Sequence, residues 1–303
     1  MKLLITGATG GIGKNFIYRA QKNNFKINFL TTKKNKLKLI ANAKGYFWNP
    51  KKNKIDINCF KDVDTIIHLS GAKVSKRWTK KNKEEIYKSR ILSTDLLYNS
   101  IKGLNYGHNI RSFICASAIG IYKSDYNKIY DEKNKICPSS FLERVVYDWE
   151  KSSLKIKKLG IRLVNLRIGL VFYNGGILKA IRTAANFGLI CAFGSGKQGQ
   201  SWIHIDDLIE IFYLSIKNNW EGIYNAVSPN PVNQIKMMEL ISKNLNKLYF
   251  MPNIPEFMTR IMLGEMSHII ISSHWVSCEK IIKKGFIFKF ADLNSALKDF
   301  LRK

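Results

Sequence analysis

Thr6-Gly7-Ala8-Thr9-Gly10-Gly11-Ile12-Gly13 stands near the start of this 303-residue sequence, between an apolar run and an amphipathic one. The apolar run, Lys2 to Thr6, predicts a strand, and the amphipathic pattern that opens among the glycines predicts a helix to about Asn23. In such a setting glycines permit a tight turn and let the backbone approach a pyrophosphate, which the free N–H groups at the helix start then hold. The spacing Gly7-x-x-Gly10-x-x-Gly13 therefore predicts a dinucleotide-binding loop that includes Thr9, Gly11 and Ile12.

Apolar runs continue to alternate with helical patterns over roughly the first two hundred residues. Strand, helix and strand at this spacing predict an α/β fold, a Rossmann-type doubly wound parallel sheet with helices on both faces. After about Pro231 the pattern is mostly helical, which predicts a smaller, mainly helical C-terminal lobe. We therefore expect a dinucleotide-binding domain at 1–230 and a substrate-side lobe at 231–303. Further strands are predicted at 26–31, 64–69, 111–117 and 161–167, and helices at 80–102, 139–158 and 291–301.

The end of the second predicted strand indicates which dinucleotide binds. An NAD-selecting site places a carboxylate about twenty residues beyond the glycines, where it bonds the ribose 2′-hydroxyl. Here the chain reads Thr31-Thr32-Lys33-Lys34, and its first acidic residue is Asp56. Hydroxyls and lysines suit a 2′-phosphate, so the sequence predicts NADP(H) in preference to NAD(H), with Thr32 and Lys33 at the phosphate. The alternative is that these lysines are two more surface residues of a lysine-rich chain.

The composition argues against several other classes of protein. The formal charge is +28, but most of the basic residues are lysines, and no basic stripe interleaved with aromatics occurs. We expect a solvated basic surface with no nucleic-acid partner, and a functional polyanion partner is the alternative. We also expect no signal peptide and no membrane span. The five cysteines are scattered and the five histidines are unpaired, which favours a reduced, cytoplasmic location and no metal site.

Several motifs, in the right order, resemble the epimerase-like members of the extended or atypical short-chain dehydrogenases. The turn HLSGA at 68–72 and the segment ASAIGIY at 116–122 are similar to that superfamily. Five longer segments resemble one subfamily that carries a conserved C-terminal domain of unknown function. The resemblance implies an NADP(H) site that includes Ser70, Gly71 and Ala72, and it implies no particular substrate. The five segments are 76–94, 194–208, 224–232, 263–276 (LGEMSHIIISSHWV) and 285–301.

The same resemblance implies where catalytic residues would stand. In the wider superfamily a tyrosine gives or takes the alcohol proton, while a serine and a lysine assist it. Ser117 is the candidate serine, although an alignment on Tyr122 places Ala118 there instead. The tyrosine and lysine positions, judged from the helix that follows, hold Leu142 and Val146. The usual tyrosine and lysine are therefore displaced or lost.

A Tyr-x-x-x-Lys does occur at Tyr147 and Lys151. On an unshifted helix, an offset of five residues turns the side chain by about 140° to another face. We therefore interpret this pair as non-catalytic, and a shifted helix register is the alternative.

Other polar residues are candidates for binding substrate. Arg77 and Trp78 follow the turn at Gly71, and Arg90 stands where related epimerases have an asparagine. Trp202 and His204 lie in the segment SWIHIDD. The structural alternatives are that Arg77 and Trp78 are surface residues, Trp202 is core, His204 is structural, and Asp206 or Asp207 caps a helix near Leu208.

These observations predict an NADP(H)-dependent oxidoreductase or epimerase that acts on a small, sugar-derived or anionic carbonyl or alcohol. The missing tyrosine and lysine leave a second hypothesis, a non-catalytic regulatory protein that senses NADPH. Some members of the resembled subfamily are associated with cell or plastid division, which no residue here demonstrates. The oligomeric state stays open.

Overall fold

The glycine loop lies at the carboxyl end of the first strand of a large sheet. The computed structural model describes residues 1–104, 107–249 and 251–301. Within these ranges, the strands are β1 (Lys2–Thr6), β2 (Lys26–Thr31), β3 (Ala43–Asn49), β4 (Lys54–Ile55), β5 (Thr65–His68), β6 (Ser112–Ala118), β7 (Ile129–Tyr130), β8 (Arg162–Ile168), β9 (Leu170–Phe172), β10 (Gly199–Gln200), β11 (Trp202–His204), β12 (Gly222–Ala226), β13 (Val232–Asn233) and β14 (Trp275–Val276).

Eight of these strands form one sheet in the order β12-β8-β6-β5-β1-β2-β3-β4. Every neighbouring pair is parallel except β3 and β4, which pair antiparallel at the edge. The order reverses between β1 and β5, because β2 and β3 extend to one side and β6, β8 and β12 to the other. Such a switch point opens a crevice at the carboxyl ends of the strands, where ligands bind. The predicted doubly wound sheet is confirmed.

Helices cover both faces of this sheet. The connection from β1 to β2 and the connection from β5 to β6 cross the sheet in opposite directions. Because parallel crossovers are right-handed, the helices in these two connections lie on opposite faces of the sheet. The helix between β1 and β2 packs with the helix Ile205–Lys217, and the helix between β5 and β6 packs with the helix Phe141–Leu154. The helices are α1 (Gly11–Lys22), α2 (Lys80–Lys102), α3 (Phe141–Leu154), α4 (Gly176–Asn186), α5 (Ile205–Lys217), α6 (Gln234–Asn244), α7 (Glu256–Leu263), α8 (His268–Ile271), α9 (Glu279–Ile282) and α10 (Leu293–Leu301).

The chain beyond β12 is mainly helical, as expected, and it is smaller than the part that forms the sheet. It contributes α6 to α10 and only the short strands β13 and β14. The strand β14 pairs with β7, and β13 pairs with β10, so this region is joined to the sheet region at two places. The boundary at residue 231 stays a prediction. None of the helices that the structure describes has the length and apolar character needed to cross a membrane.

The bounds of several elements agree closely with expectation, and nine of the fourteen described strands were not predicted. The strands at 2–6 and 26–31 and the helix at 80–102 begin and end where they were predicted. The two longest of the unpredicted strands are β3 and β12, and the others have two or three residues each. In β3 only Tyr46 and Trp48 are fully buried, and Lys44 and Gly45 interrupt the apolar pattern. In β12 the buried residues include Asn225, whose amide is polar.

Two glycines fix the shape of the loop after β1. Gly7 has φ +68°, and a Cβ there would lie 2.7 Å from the carbonyl carbon of Leu69. Gly13 lies in the first turn of α1, and a Cβ there would lie 2.4 Å from the carbonyl oxygen of Gly7. These contacts involve backbone atoms, which cannot move aside as a side chain would. The loop therefore packs against the end of β5 and against its own helix only as glycine.

The buried ring of His68, the last residue of β5, ties β5 to β1 beneath this loop. The hydroxyl of Thr6 accepts N–H bonds from Leu69 (3.0 Å) and Ser70 (3.1 Å), so its proton points to Nδ1 of His68, 2.9 Å away. The ring proton is then on Nε2, which donates to Thr94 at 3.1 Å. Burial lowers the pKa of His68 to about 3, so the ring is neutral.

A second buried histidine joins the C-terminal region to the sheet region. The ring of His204 stacks between Phe290 and Phe300, with centroid distances of 3.7 and 4.4 Å. Its Nδ1 accepts the N–H of Asp206 at 3.0 Å, so His204 caps α5. Burial lowers its pKa to about 4, and this outweighs the attraction of the Asp299 carboxylate at 3.5 Å.

The contact at Gly13 predicts that Gly13→Ala lowers the free energy of unfolding by about 1 to 3 kcal/mol, because the new methyl group forces the loop backbone to shift. Urea unfolding followed by circular dichroism measures the change. Gly103→Ala is the matched control, since a Cβ there meets its nearest atoms at 3.5 Å. Equal losses in the two variants would contradict the packing argument.

The two buried histidines predict a loss of stability in mild acid. Both pKa values are lower in the folded chain than the ordinary 6.5, so the unfolded chain binds protons that the folded chain does not. The free energy of unfolding should therefore fall as the pH drops below about 6.5. Urea titrations at successive pH values measure the slope. His204→Gln should flatten the slope, whereas a variant of the exposed His268 should not; an unchanged slope in His204→Gln would count against this assignment.

Candidate functional site

A cavity of about 560 Å³ opens at the carboxyl ends of β6 and β8. Ala118 and Gly120 line it from the end of β6, and Ile168 and Gly169 line it from the end of β8. The C-terminal region forms the opposite wall, through residues between Glu265 and His274. Because β6 neighbours β5, and β5 neighbours β1, this cavity and the glycine loop share one edge of the sheet. Ligands of doubly wound folds bind at this edge.

The glycine loop fits a dinucleotide pyrophosphate. Gly10 precedes α1 and supplies no capping side chain, so the N–H groups of the first turn are left for a ligand. A Cβ at Gly11 would lie 2.5 Å from the Tyr173 ring, which covers one side of the loop. The hydroxyl oxygen of Ser70, on the other side, is buried without a hydrogen-bond partner in the described chain. An unpaired buried hydroxyl next to the switch point is what a bound polar group would satisfy.

The end of β2 carries cationic and hydroxyl side chains. Thr31 is buried, and its hydroxyl accepts the N–H of Lys33 at 3.2 Å, which shapes the turn. Thr32 and Lys33 are exposed beyond it. Neither Lys33 nor Lys34 forms an ion pair with a carboxylate in the part of the chain that the structure describes. Both positive charges are therefore available to a phosphate.

Arg90 on α2 connects the turn after β5 with the cavity. Its Nη1 donates to the carbonyl oxygens of Ile86 (2.9 Å) and Ala72 (3.3 Å), and its guanidinium lies over the Trp149 ring at 5.2 Å. A Cβ at Gly71 would lie 3.2 Å from Cζ of Arg90, so the guanidinium packs closely on this turn. Burial lowers the pKa of Arg90 to about 10, which leaves it charged. Arg90 lines the cavity, and no described carboxylate pairs with it.

Ser117 does not face the cavity. Its hydroxyl donates to Oε1 of Glu150 at 2.6 Å, and the same carboxylate receives Nε and Nη2 of Arg167 at 2.9 and 2.8 Å. All three side chains are buried. The next residue, Ala118, lines the cavity instead. The alignment on Tyr122 therefore identifies the residue that the strand presents to a ligand.

The buried ion pair extends to the far side of the cavity. Nη1 of Arg167 donates to the hydroxyl of Tyr122 at 2.9 Å, and that hydroxyl donates to Oδ1 of Asn225 at 2.8 Å. Burial raises the pKa of Tyr122 to about 12, although the Arg167 charge opposes this, so the phenol stays protonated. Burial alone would lower the pKa of Arg167, but its bonds to Glu150 raise it above the usual value. This network fixes the positions of these side chains and directs the phenol proton of Tyr122 to Asn225.

The positions of the family's tyrosine and lysine also face the cavity, with apolar side chains. Leu142 and Val146 both line it, from the first two turns of α3. Tyr147 points elsewhere: it is 38% exposed and does not line the cavity, and Lys151 is exposed on the same helix. Ala118, Leu142 and Val146 thus form an apolar wall at the positions where the resemblance to the wider superfamily implies a serine, a tyrosine and a lysine.

Of the other predicted substrate residues, one lines the cavity and three do not. Trp78 lines the cavity, its ring packed edge-to-face against Phe141 at 5.1 Å. Arg77 is exposed and does not line it. Trp202 and His204 are fully buried away from it: the indole of Trp202 donates to the carbonyl of Asn230, and His204 caps α5 in place of the aspartates expected there.

His274 was missed by sequence reasoning, although it stands in the quoted segment SSHWV. It lines the cavity, and its Nε2 lies 3.1 Å from the carbonyl oxygen of Tyr122. Because a carbonyl only accepts, Nε2 carries the ring proton. Burial lowers the pKa of His274, so Nδ1 is a bare acceptor, and it has no hydrogen-bond partner among the described residues. The signal available in the sequence was a polar residue in a motif of the C-terminal region.

Comparison with known proteins agrees with this architecture. An epimerase family protein of Staphylococcus aureus is 33% identical over 305 residues, which cover 99% of each chain. The crystal structure of the human epimerase family protein SDR39U1 (isoform 2) with NADPH superposes with a TM-score of 0.88 at 21% identity over 100% of both chains. The structure of MoeE5 with UDP-glucuronic acid and NAD gives a TM-score of 0.80 at 16% identity, over 100% of this chain and 98% of the other.

Two family profiles match the sequence. A domain of unknown function, DUF1731, matches residues 254–300, which include His274 and the segments that form the wall opposite the sheet. The NAD dependent epimerase/dehydratase profile matches residues 3–226, from the first strand of the sheet to the last. The chain therefore belongs to the NAD dependent epimerase/dehydratase family.

Proposed function

We propose that this protein is an NADP(H)-dependent oxidoreductase that acts on a small carbonyl or alcohol compound. The observation that carries the proposal is that the glycine loop, the carboxylate-free end of β2 and a cavity of about 560 Å³ lie along one edge of the sheet. When bound, the nicotinamide supplies or accepts a hydride. The protein's part is to hold the pyrophosphate at α1, to orient the substrate, and to exclude water from the cavity.

The preference for NADP(H) over NAD(H) is supported by charge. Lys33 and Lys34 form no ion pair with a carboxylate of the described residues, and the side chain of Thr31 is a hydroxyl where an NAD-selecting site has a carboxylate. The human relative was crystallised with NADPH, and MoeE5 was crystallised with NAD, so both cofactors occur with this fold.

The substrate is proposed to be held by the cavity wall and not by the usual catalytic triad. Ala118, Leu142 and Val146 cannot donate or accept a proton. Any proton that accompanies hydride transfer must therefore move through another lining group. Trp78 and Arg90 are the predicted substrate residues that do reach the cavity.

The apolar wall of Ala118, Leu142 and Val146 also favours a second candidate function, NADPH binding without catalysis. A chain that keeps the cofactor loop and replaces all three catalytic positions by apolar residues also fits a regulatory protein that binds NADPH without turnover. Deuterium transfer, described below, separates the two candidates.

We also propose that the protein works in the cytoplasm with small molecules as its partners. All five cysteines are free, which suits a reduced compartment. The lysines are spread along the chain and form no basic stripe interleaved with aromatics, so we propose neither a nucleic-acid nor a membrane partner.

The phosphate contact predicts that Lys33→Gln weakens NADPH binding about tenfold and leaves NADH binding nearly unchanged, since only NADPH carries the 2′-phosphate. Titration of nicotinamide fluorescence at physiological salt measures both affinities. Lys38→Gln removes the same charge five residues further on and serves as the control. An unmodified protein that binds NADH more tightly than NADPH would overturn the cofactor assignment.

Catalysis predicts transfer of deuterium from stereospecifically labelled NADPH to a small ketone, detected in the alcohol product by mass spectrometry. Transfer should occur from one face of the nicotinamide only, because the loop and Tyr173 fix how the cofactor lies. If NADPH and several ketones all bind but none receives the label, the binding-protein candidate is correct.

A further inference from the structure

The walls of the cavity are mostly apolar. They include Val74, Trp78, Phe141, Leu142, Val146 and Ile269, contributed by both the sheet region and the C-terminal region. A wall of this kind favours a ligand with an apolar body. Polar groups of a ligand that lay against these side chains would lose their bonds to water and find no hydrogen-bond partner.

The cations near the cavity do not form a site for a diphosphate. Lys83 is neutralised by Glu265, with Nζ and Oε2 2.6 Å apart. Arg90 is the other lining cation in the described chain, and two backbone carbonyls hold it beside the Gly71–Ala72 turn. A nucleotide sugar carries two phosphate charges and many hydroxyls, which this lining leaves largely unmatched.

Most lining polar groups are already satisfied by the protein. The hydroxyl of Tyr122 is held by Arg167 and Asn225. The hydroxyl of Ser201 donates to the carbonyl of His274 and accepts the N–H of Val276.

Glu143, which also lines the cavity, accepts four bonds from Ser139 and Ser140. Its bonds hold the pKa of its carboxyl below the usual value, although burial acts the other way. It is therefore an anion held at the start of α3, with three of its four bonds on Oε2 and one on Oε1.

His274 has one ring nitrogen without a partner among the described residues, and three other lining side chains, those of Gln200, Ser272 and the exposed His268, also form no hydrogen bond with described residues. Nε2 donates to the carbonyl of Tyr122, which leaves Nδ1 as an acceptor in a largely buried ring. The charged and titratable groups that line the same cavity are Glu143, Arg90, Tyr122, the Lys83–Glu265 pair and the exposed His268. None of them forms a hydrogen bond with Nδ1.

We propose that the cavity binds an alcohol with an apolar body, and that the alcohol hydroxyl donates a hydrogen bond to Nδ1 of His274. The proposal rests on the function proposed above and names the class of its substrate or product. In this neutral tautomer Nδ1 can accept a hydrogen bond but cannot donate one. It therefore distinguishes an alcohol, whose hydroxyl donates, from the corresponding ketone, whose oxygen only accepts. His274 is thus a specificity-determining residue supplied by the C-terminal region.

Three probes of one shape test this: menthol, its ketone menthone, and the hydrocarbon menthane. Binding is measured by calorimetry on the full chain without cofactor, so that neither alcohol nor ketone can react. Menthol should bind about fivefold or more tightly than menthone, as one hydrogen bond predicts. UDP-glucose serves as the nucleotide-sugar comparison and should bind more weakly than menthol.

His274→Phe should abolish the preference for menthol over menthone and leave menthane binding intact. His268→Phe, at a lining but exposed position, is the matched control and should keep the preference. A second measurement needs no variant: nitrogen NMR of the unmodified protein should show the ring proton on Nε2, and menthol should shift the Nδ1 resonance.

NADPH titration separates the two levels of the argument. If NADPH binds but menthol and menthone bind equally, or UDP-glucose binds best, the inference about His274 is wrong and the cofactor assignment stands. If NADPH does not bind but menthol is preferred through His274, the proposed oxidoreductase function fails while the alcohol site stands. A ring proton found on Nδ1 overturns the inference directly.

Discussion

The buried ion pair between Glu150 and Arg167 is the contact on which the arrangement of this cavity depends. It joins α3 to β8, and it draws in Ser117 from β6 and Tyr122 from the loop that follows. Losing one partner of a buried pair typically costs about 3 to 5 kcal/mol, because the other charge is left without compensation. The ends of two central strands and one helix are therefore held in a single geometry before any ligand arrives.

This ion pair also explains why the Ser117 hydroxyl does not face the cavity. Ser117 is tied to Glu150, so its hydroxyl serves the framework, and the residues that reach the cavity from β6 and α3 are Ala118, Leu142 and Val146. Through Tyr122, the same framework presents the backbone carbonyl that sets the tautomer of His274. The bonds among Glu150, Arg167 and Tyr122 are thus used within the protein framework, whereas Nδ1 of His274 has no hydrogen-bond partner among the described residues.

Local sequence predicted much of the fold, because local physics determines it. The glycine loop needs φ near +68° and close backbone contact, and both requirements show directly as glycine. The strand β2 and the helix α2 have clear apolar periods, so their bounds could be predicted. By contrast, β3 alternates weakly around Lys44 and Gly45, and its place depends on pairing with β2 and β4.

The site was less predictable, because it is made of contacts between distant residues. Whether Ser117 or Ala118 faces the cavity depends on the phase of one strand, where a shift of one residue reverses the side chains. Trp202 and His204 resemble site residues in sequence, yet both are buried by packing from β9 and the chain's end. His274 gains its role only from a carbonyl 152 positions earlier.

The separation of 152 positions between Tyr122 and His274 has a consequence for how the cavity is completed. Contacts of such long range form late, because closing the chain between them costs entropy before any contact repays it. The sheet and its glycine loop are assembled from the first part of the chain, whereas the cavity is closed by residues near its end. The cavity is therefore complete only when the C-terminal region has packed against the sheet, so its shape depends on the fold of the whole described chain.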